Sequence, residues 1–182
     1  MILTLSRLAR RTVGIAGTAL LVILVALSLL THLVPLTGRE LFIIVGGSME
    51  PAIPIGSLVV TAPTDAATVV AGDVLTHRGD SGVAVTHRVR SVVDAPAGRL
   101  FEMKGDANES PDDGLVPAGA IVGAADLYVP YAGYARAFLS TGLGLVVTLS
   151  TLGTLFLTYL LLTLLAPTDG ASPSKRAEPI GP

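Results

Sequence analysis

The sequence predicts a mostly β domain flanked by two transmembrane α-helices. Two long runs carry no charged residue, one towards each end of the 182-residue chain. The segment between them holds short β-prone runs that Gly, Pro and Asp turns separate. The composition, 51% hydrophobic and 14% charged with a mean hydropathy of +0.69, is too apolar for a soluble domain of this size.

The first uncharged run, residues 12–31, predicts a transmembrane helix over residues 12–34. Arg7, Arg10 and Arg11 precede it, so we expect residues 1–11 to stay in the cytoplasm. A cleaved signal peptide is the alternative, but no small-x-small cleavage site follows the run. The run therefore predicts a signal anchor that leaves the next domain outside the cytoplasm.

The second uncharged run, residues 137–168, predicts a transmembrane helix over residues 141–166 and places both termini on one side of the cell membrane. The small, polar and proline-rich residues 167–182 are typical of a disordered cytoplasmic tail. Residues 36–138 hold seven Lys and Arg against twelve Asp and Glu, a net charge of −5. Such an acidic segment fits an extracytoplasmic domain, which we place at residues 35–138.

Five runs in this domain predict strands of a small, mostly antiparallel β fold: residues 41–45, 57–61, 74–76, 83–93 and 100–104. The run 83–93 has the clearest alternation. It places Val83, Val85, His87 and Val89 on one face of the strand.

Several functions are disfavoured by composition. The chain has no Cys, which excludes disulfides and thiolate metal sites. A net charge of −2, the absence of Trp and few other aromatic residues argue against nucleic-acid binding. No His-Glu-x-x-His or comparable spacing predicts a metal site, and no phosphate-binding motif predicts a cofactor.

Ser48 is the candidate nucleophile. It lies in the turn Gly-Gly-Ser-Met-Glu-Pro, residues 46–51, directly after a predicted buried strand. Glycines beside a serine let the backbone approach a ligand closely and leave N–H groups to face a developing oxyanion. A structural Gly-Ser-Pro turn is the other interpretation.

His87 is the candidate general base, because an imidazole ordinarily titrates near pH 6.5 and can accept a hydroxyl proton at neutral pH. A lone His on an apolar strand face is also commonly structural. Asp106 and Asp112 are the candidates for the group that orients the imidazole, although Asp in such turns also serves turn geometry. Lys104 offers an alternative Ser-Lys dyad, but a lysine amine ordinarily titrates near pH 10.4 and burial would have to deprotonate it.

These motifs resemble the conserved boxes of type I signal peptidases, peptidase family S26. Residues 46–51 resemble the serine box, residues 72–74 and 86–89 the next two boxes, and residues 104–108 with Asp112 the last one. The order and spacing match over most of residues 40–134. His87 stands where the common bacterial enzymes have Lys, which is the mark of the endoplasmic-reticulum and archaeal type.

The resemblance implies a signal-peptidase-like antiparallel β catalytic domain, with Ser48 as nucleophile, His87 as base and Asp106 or Asp112 as the third member. It also implies cleavage after small residues. Gly46 departs from the family, which often has Ser there, so an oxyanion hole must rely on backbone N–H groups, mainly that of Ser48.

The expected function is a membrane-bound serine endopeptidase that removes signal peptides from exported preproteins, without metal or cofactor. Its expected partners are signal peptides, the lipid bilayer and an unidentified component of the secretion machinery, but no nucleic acid. The alternatives are a non-enzymatic two-span protein with a β binding or scaffold domain, and a related protease with regulatory substrates.

Overall fold

The structure, a computed structural model, describes residues 2–79 and 82–165, without the side chains of residues 2–7. The helices are α1 (Ile2–Leu33), α2 (Ala132–Leu139) and α3 (Gly142–Leu164), with 3-10 turns at Val34–Thr37 and Ala118–Ala120. The strands are β1 (Glu40–Ile43), β2 (Leu58–Ala62), β3 (Val74–Arg78), β4 (Ala84–Ala95), β5 (Gly98–Lys104), β6 (Val116–Pro117) and β7 (Ile121–Val129). The structure therefore does not describe the predicted tail, residues 167–182, or the side chain of Arg7.

Within the described residues, the seven strands form one antiparallel sheet in the order β1-β2-β7-β3-β4-β5-β6. The two long apolar helices precede and follow this β domain in the chain. The predicted fold class, a mostly β domain with two flanking apolar helices, is therefore confirmed.

Two apolar clusters form the core of the β domain. The larger cluster contains buried side chains from the loop before β3 and from β3, β4 and β5: Val69, Leu75, Val89, Phe101 and Met103. The smaller one contains Met49, Ile53 and Val59. The smaller cluster brings the segment after β1 against β2, and this segment carries Ser48.

β7 is the main element that the sequence did not predict. It lies between β2 and β3 and so joins the two halves of the sheet. Gly123, Ala124 and Ala125 weaken its hydrophobic alternation, which hides the strand from a pattern search. Gly123 is required by close packing, because a Cβ there would overlap the carbonyl of Ala62.

The chain divides into two compact units, one of the described residues up to Ile23 and from Val147 onwards, the other of residues 24–146. In the first unit, Gly14 lies against the ring of Tyr159. Two segments are long and apolar enough to cross a membrane: Leu8–Thr37, with a mean hydropathy of 2.6, and Gly142–Leu164, with a mean hydropathy of 2.0. α1 begins at Ile2 rather than at residue 12, so Arg10 and Arg11 are helical.

Candidate active site

Ser48 lies in a tight turn that follows β1. The Glu50 N–H donates to the Gly47 carbonyl at 3.0 Å and closes this turn. The side chain of Met49 is buried in the smaller core cluster. The turn and the buried Met49 together fix the position of the adjacent Ser48.

His87 lies in β4, directly opposite Leu75 of β3. It is 8% exposed, and Val89 two residues later is buried in the larger core cluster. The alternation of β4 therefore turns His87 to the core face, as the sequence indicated. Val83 lies just before β4 and is largely exposed, so the apolar face is shorter than the alternation suggested.

The structure brings Ser48, His87 and Asp112 together in one hydrogen-bonded row. The Oγ of Ser48 lies 2.8 Å from the Nε2 of His87. The Nδ1 of His87 is hydrogen-bonded to the Oδ2 of Asp112. The three residues come from three separate segments of the chain, so the fold, and not sequence proximity, creates this arrangement.

The hydrogen bonds of His87 to Ser48 and Asp112 determine which nitrogen of its ring carries the proton. An ionised carboxylate can only accept hydrogen bonds, so Nδ1 carries a proton and donates it to Asp112. Nε2 is then the acceptor for the hydroxyl of Ser48. This is the tautomer in which an imidazole can remove the hydroxyl proton.

Asp112 is positioned by its own backbone. Its N–H donates to the carbonyl of Met103, the buried residue near the end of β5, at 2.9 Å. This bond brings the chain back beside β5 after the turn of residues 105–111. The carboxylate of Asp112 thereby reaches His87 in the adjacent strand β4.

Asp106, the other candidate for the third member, has a different partner. Its carboxylate accepts two hydrogen bonds from the guanidinium of Arg88, at 2.8 and 2.7 Å. These bonds lower the pKa of Asp106 below its ordinary value and raise the pKa of Arg88. The guanidinium of Arg88 also donates to the carbonyl of Gly72 at 2.8 Å. Asp106 and Arg88 therefore join β4, the turn after β5 and the loop before β3.

The turn after β5 also contacts Ser48, the candidate nucleophile. The Ala107 N–H donates to the carbonyl of Ser48 at 2.8 Å. A Cβ placed on Gly105 would lie 2.7 Å from that carbonyl oxygen and 2.8 Å from the Cβ of Ser48. The sequence analysis did not identify Gly105 or Arg88 as functional residues. The one indication in the sequence is that Gly105 precedes Asp106 and that Arg88 follows His87.

The backbone N–H of Ser48 has no hydrogen-bond partner among the residues that the structure describes. An unpaired N–H on the nucleophile is the donor that an oxyanion hole requires. Space is open at Gly46, where a Cβ would meet nothing within 4 Å.

His77 is a second buried imidazole near this site. The structure leaves it only 8% exposed. Its Nε2 is buried and has no partner in the described part of the chain. Burial, reinforced by the charge of His87, lowers the pKa of His77 below 6.5.

Lys104 ends β5 opposite Arg88 of β4. Among residues 2–79 and 82–165, its amine makes no hydrogen bond to Ser48, while His87 does contact the hydroxyl. No group of three His, Asp or Glu side chains that could hold a metal ion occurs in those same ranges.

Comparison with known proteins identifies relatives that are signal peptidases. Signal peptidase I W of Bacillus subtilis (strain 168) is 38% identical over 80 residues, which cover 43% of this chain and 42% of that protein. The signal peptidase complex catalytic subunit SEC11C of Homo sapiens is 32% identical over 119 residues, which cover 59% of this chain and 62% of that protein. The SEC11C of Mus musculus gives the same values.

No family model matches the chain. The chain spans less than two thirds of the length of the curated relatives it matches. The motif order, the β domain with its two apolar helices and these relatives agree with one another, and the chain is thus similar to type I signal peptidases.

Proposed function

We propose that this protein is a membrane-bound serine endopeptidase that cleaves signal peptides from exported preproteins after small residues. The observation that carries the proposal is the hydrogen-bonded row of Ser48, His87 and Asp112. The names of its relatives support the peptidase class and the signal-peptide substrate.

The mechanism begins with proton transfer from the Ser48 hydroxyl to Nε2 of His87 as Oγ attacks the scissile carbonyl carbon. Asp112 accepts the hydrogen bond from Nδ1 and stabilises the imidazolium that forms. The Ser48 N–H stabilises the oxyanion. His87 then protonates the leaving amine, and a water molecule, deprotonated by the same imidazole, hydrolyses the acyl-enzyme.

An extended substrate has two strand edges available beside the nucleophile. β1 is an edge strand of the sheet, and its continuation carries the largely exposed Val45. In β4, pairing with β5 begins at Arg88, so residues 84–87 have β3 on one side and no strand on the other within the described residues. A substrate that added as a strand here would pass directly beside Ser48.

The proposed topology places the active site outside the cytoplasm. The helices α1 and α3 supply two membrane spans, and Arg10 and Arg11 favour a cytoplasmic N-terminus. Two spans place the C-terminus on the same side, with the acidic β domain on the other. Signal peptides are cleaved as they leave the membrane, which this topology suits.

The test is cleavage of a preprotein by the purified full chain in detergent, with the new N-terminus identified by mass spectrometry. We expect the wild type to cleave after a small residue and Ser48→Ala to lose this activity. Ser91→Ala is the matched control, because its hydroxyl donates to Glu102 and lies outside the row. Equal cleavage by the wild type and Ser48→Ala would contradict the proposal and favour the binding or scaffold alternative.

A further inference from the structure

A small cavity with cationic walls lies next to the nucleophile and plays no part in the proton transfers above. Its volume is about 180 Å³, which accommodates one carboxylate-bearing side chain. It is lined by Arg88, Val89, Arg90, Lys104, Gly105 and Asp106. The side chain of Arg90 is 56% exposed, so the cavity is open to solvent.

The cationic side chains around this cavity differ in how fully acidic partners neutralise them. The guanidinium of Arg88 is fully engaged by Asp106 and a backbone carbonyl. Arg90 has only a long ion pair with Glu102, at 3.8 Å, and Glu102 also accepts a hydrogen bond from Ser91.

Lys104 is the cation whose charge is matched least, because it acts only on the carboxylate of Asp106, which Arg88 already engages. Its amine has neither a hydrogen bond nor an ion pair to any residue that the structure describes. An ammonium group on the wall of a small cavity favours an anionic occupant, because charge-assisted hydrogen bonds are stronger than neutral ones.

The position of the cavity next to Ser48 indicates which anionic group it binds. Gly105 forms one of its walls, and a Cβ on Gly105 would lie 2.8 Å from the Cβ of Ser48. The cavity is therefore separated from the nucleophile by Gly105, and a peptide whose scissile bond reaches Ser48 is the ligand that passes nearest to it. A substrate carboxylate is favoured over a lipid headgroup for that reason.

We propose that Lys104, assisted by Arg90, forms an anion subsite that selects substrates with an Asp or Glu side chain close to the scissile bond. This inference rests on the proposed peptidase function and adds a specificity determinant to it. The recognised group is a carboxylate, held by the amine of Lys104 and by the partly exposed guanidinium of Arg90.

The experiment uses the full chain in neutral detergent and a set of preprotein peptides with Glu or Gln at each position flanking the cleavage site. The readout is the ratio of kcat/KM for the Glu peptide to that for the Gln peptide. For the wild type we expect a ratio of about ten at one or two positions, as one charge-assisted hydrogen bond gives.

Lys104→Gln should bring this ratio close to one, and Lys104→Arg should retain most of it. Because the ratio is taken within each variant, a general loss of activity cancels. Arg78→Gln is the matched control, since it removes a cation of the same domain that pairs with Glu40 and does not line the cavity. Its ratio should equal that of the wild type.

The following results would overturn the inference. A wild-type ratio near one at every position would show that the cavity does not distinguish a charged substrate side chain from a neutral one. A preference that survives in Lys104→Gln would assign it to other residues. Equal cleavage of the Glu and Gln peptides, together with Lys104-dependent binding to phosphatidylglycerol vesicles, would assign the cavity to a lipid headgroup. If no peptide is cleaved, the proposed peptidase function fails with it.

Discussion

At the residue scale, His87 is held from both sides of its ring. Ser48 contacts one ring nitrogen and Asp112 the other, so the imidazole cannot rotate without losing a hydrogen bond. The carboxylate selects the tautomer in which Nε2 accepts a proton. In the proposed mechanism, Asp112 therefore acts on the reaction through His87 and is a positioning residue.

Asp112→Asn should lower kcat about 10³- to 10⁴-fold, because an amide can donate to Nδ1 and select the wrong tautomer. The neighbouring Asp113→Asn is the matched control, since Asp113 makes no hydrogen bond or ion pair among the described residues. Preprotein cleavage under single-turnover conditions measures both. Equal losses in the two variants would contradict the assigned role of Asp112.

We expect His77 to make the stability of the β domain sensitive to acid. Burial lowers the pKa of His77 in the folded state. Below about pH 6.5, His77 in the unfolded chain therefore binds a proton more readily than His77 in the folded protein does. The contribution to stability is therefore complete above about pH 6.5 and is lost as the pH falls through the lower folded-state pKa. The neighbouring charges of His87 and Asp112 act on it in opposite directions.

His77→Phe should consequently lose less stability than the wild type between about pH 7 and pH 5. Thermal unfolding followed by near-ultraviolet circular dichroism at each pH gives the comparison. The informative quantity is the change with pH in the difference between the two unfolding midpoints, because the groups common to both proteins cancel in it. A difference that does not vary with pH would exclude His77 as the acid-sensitive group.

At the element scale, the turn between β5 and Asp112 holds Ser48 in place together with the turn of residues 47–50 and the buried Met49. Its Ala107 N–H bonds the Ser48 carbonyl, while the ion pair of Asp106 and Arg88 holds the turn against β4. Gly105 allows the turn to approach the nucleophile without a clash. The position of Ser48, and of the N–H that we propose as oxyanion donor, thus depends on a segment more than fifty residues away in the chain.

Gly105→Ala should reduce cleavage at least tenfold, because its methyl group would meet the Ser48 backbone, which cannot move aside. Gly46→Ala is the matched control on the other side of the nucleophile, where a methyl group finds open space. Activity and thermal unfolding of both variants separate misplacement of Ser48 from loss of the fold. Full activity in Gly105→Ala would refute this close approach.

Pattern and chemistry in the sequence predicted much of this arrangement. The alternation around His87 predicted β4 and its core face, and the Gly-Gly-Ser turn identified Ser48. Asp106 and Asp112 could not be distinguished, because both follow turn residues and only the bond from the Asp112 N–H to Met103 places one of them beside His87. β7 was missed because its small residues carry little periodicity.

At the scale of the whole molecule, the proposal requires the β domain and the N-terminus to lie on opposite sides of a membrane. The chain has no cysteine, so a single introduced thiol reports its own side without background. Ala97 is an exposed residue in the turn between β4 and β5. Residue 6 lies close to the N-terminal end of α1.

In intact cells, Ala97→Cys should react with a membrane-impermeant maleimide, and Ser6→Cys should react only after lysis. The physical reason is the cytoplasmic preference of the arginines beside the first span. Labelling of both variants after lysis controls for reactivity. The reverse pattern in intact cells would place the β domain in the cytoplasm.

The central claim, that Ser48 and His87 act as one unit, is tested most directly by the double variant Ser48→Ala/His87→Ala beside the two single variants. Groups that act together in one step are strongly non-additive, so the double variant should cleave a preprotein no more slowly than Ser48→Ala alone. A further loss in the double variant equal to that of His87→Ala would mean that the two residues act independently, and the proposed mechanism would be wrong.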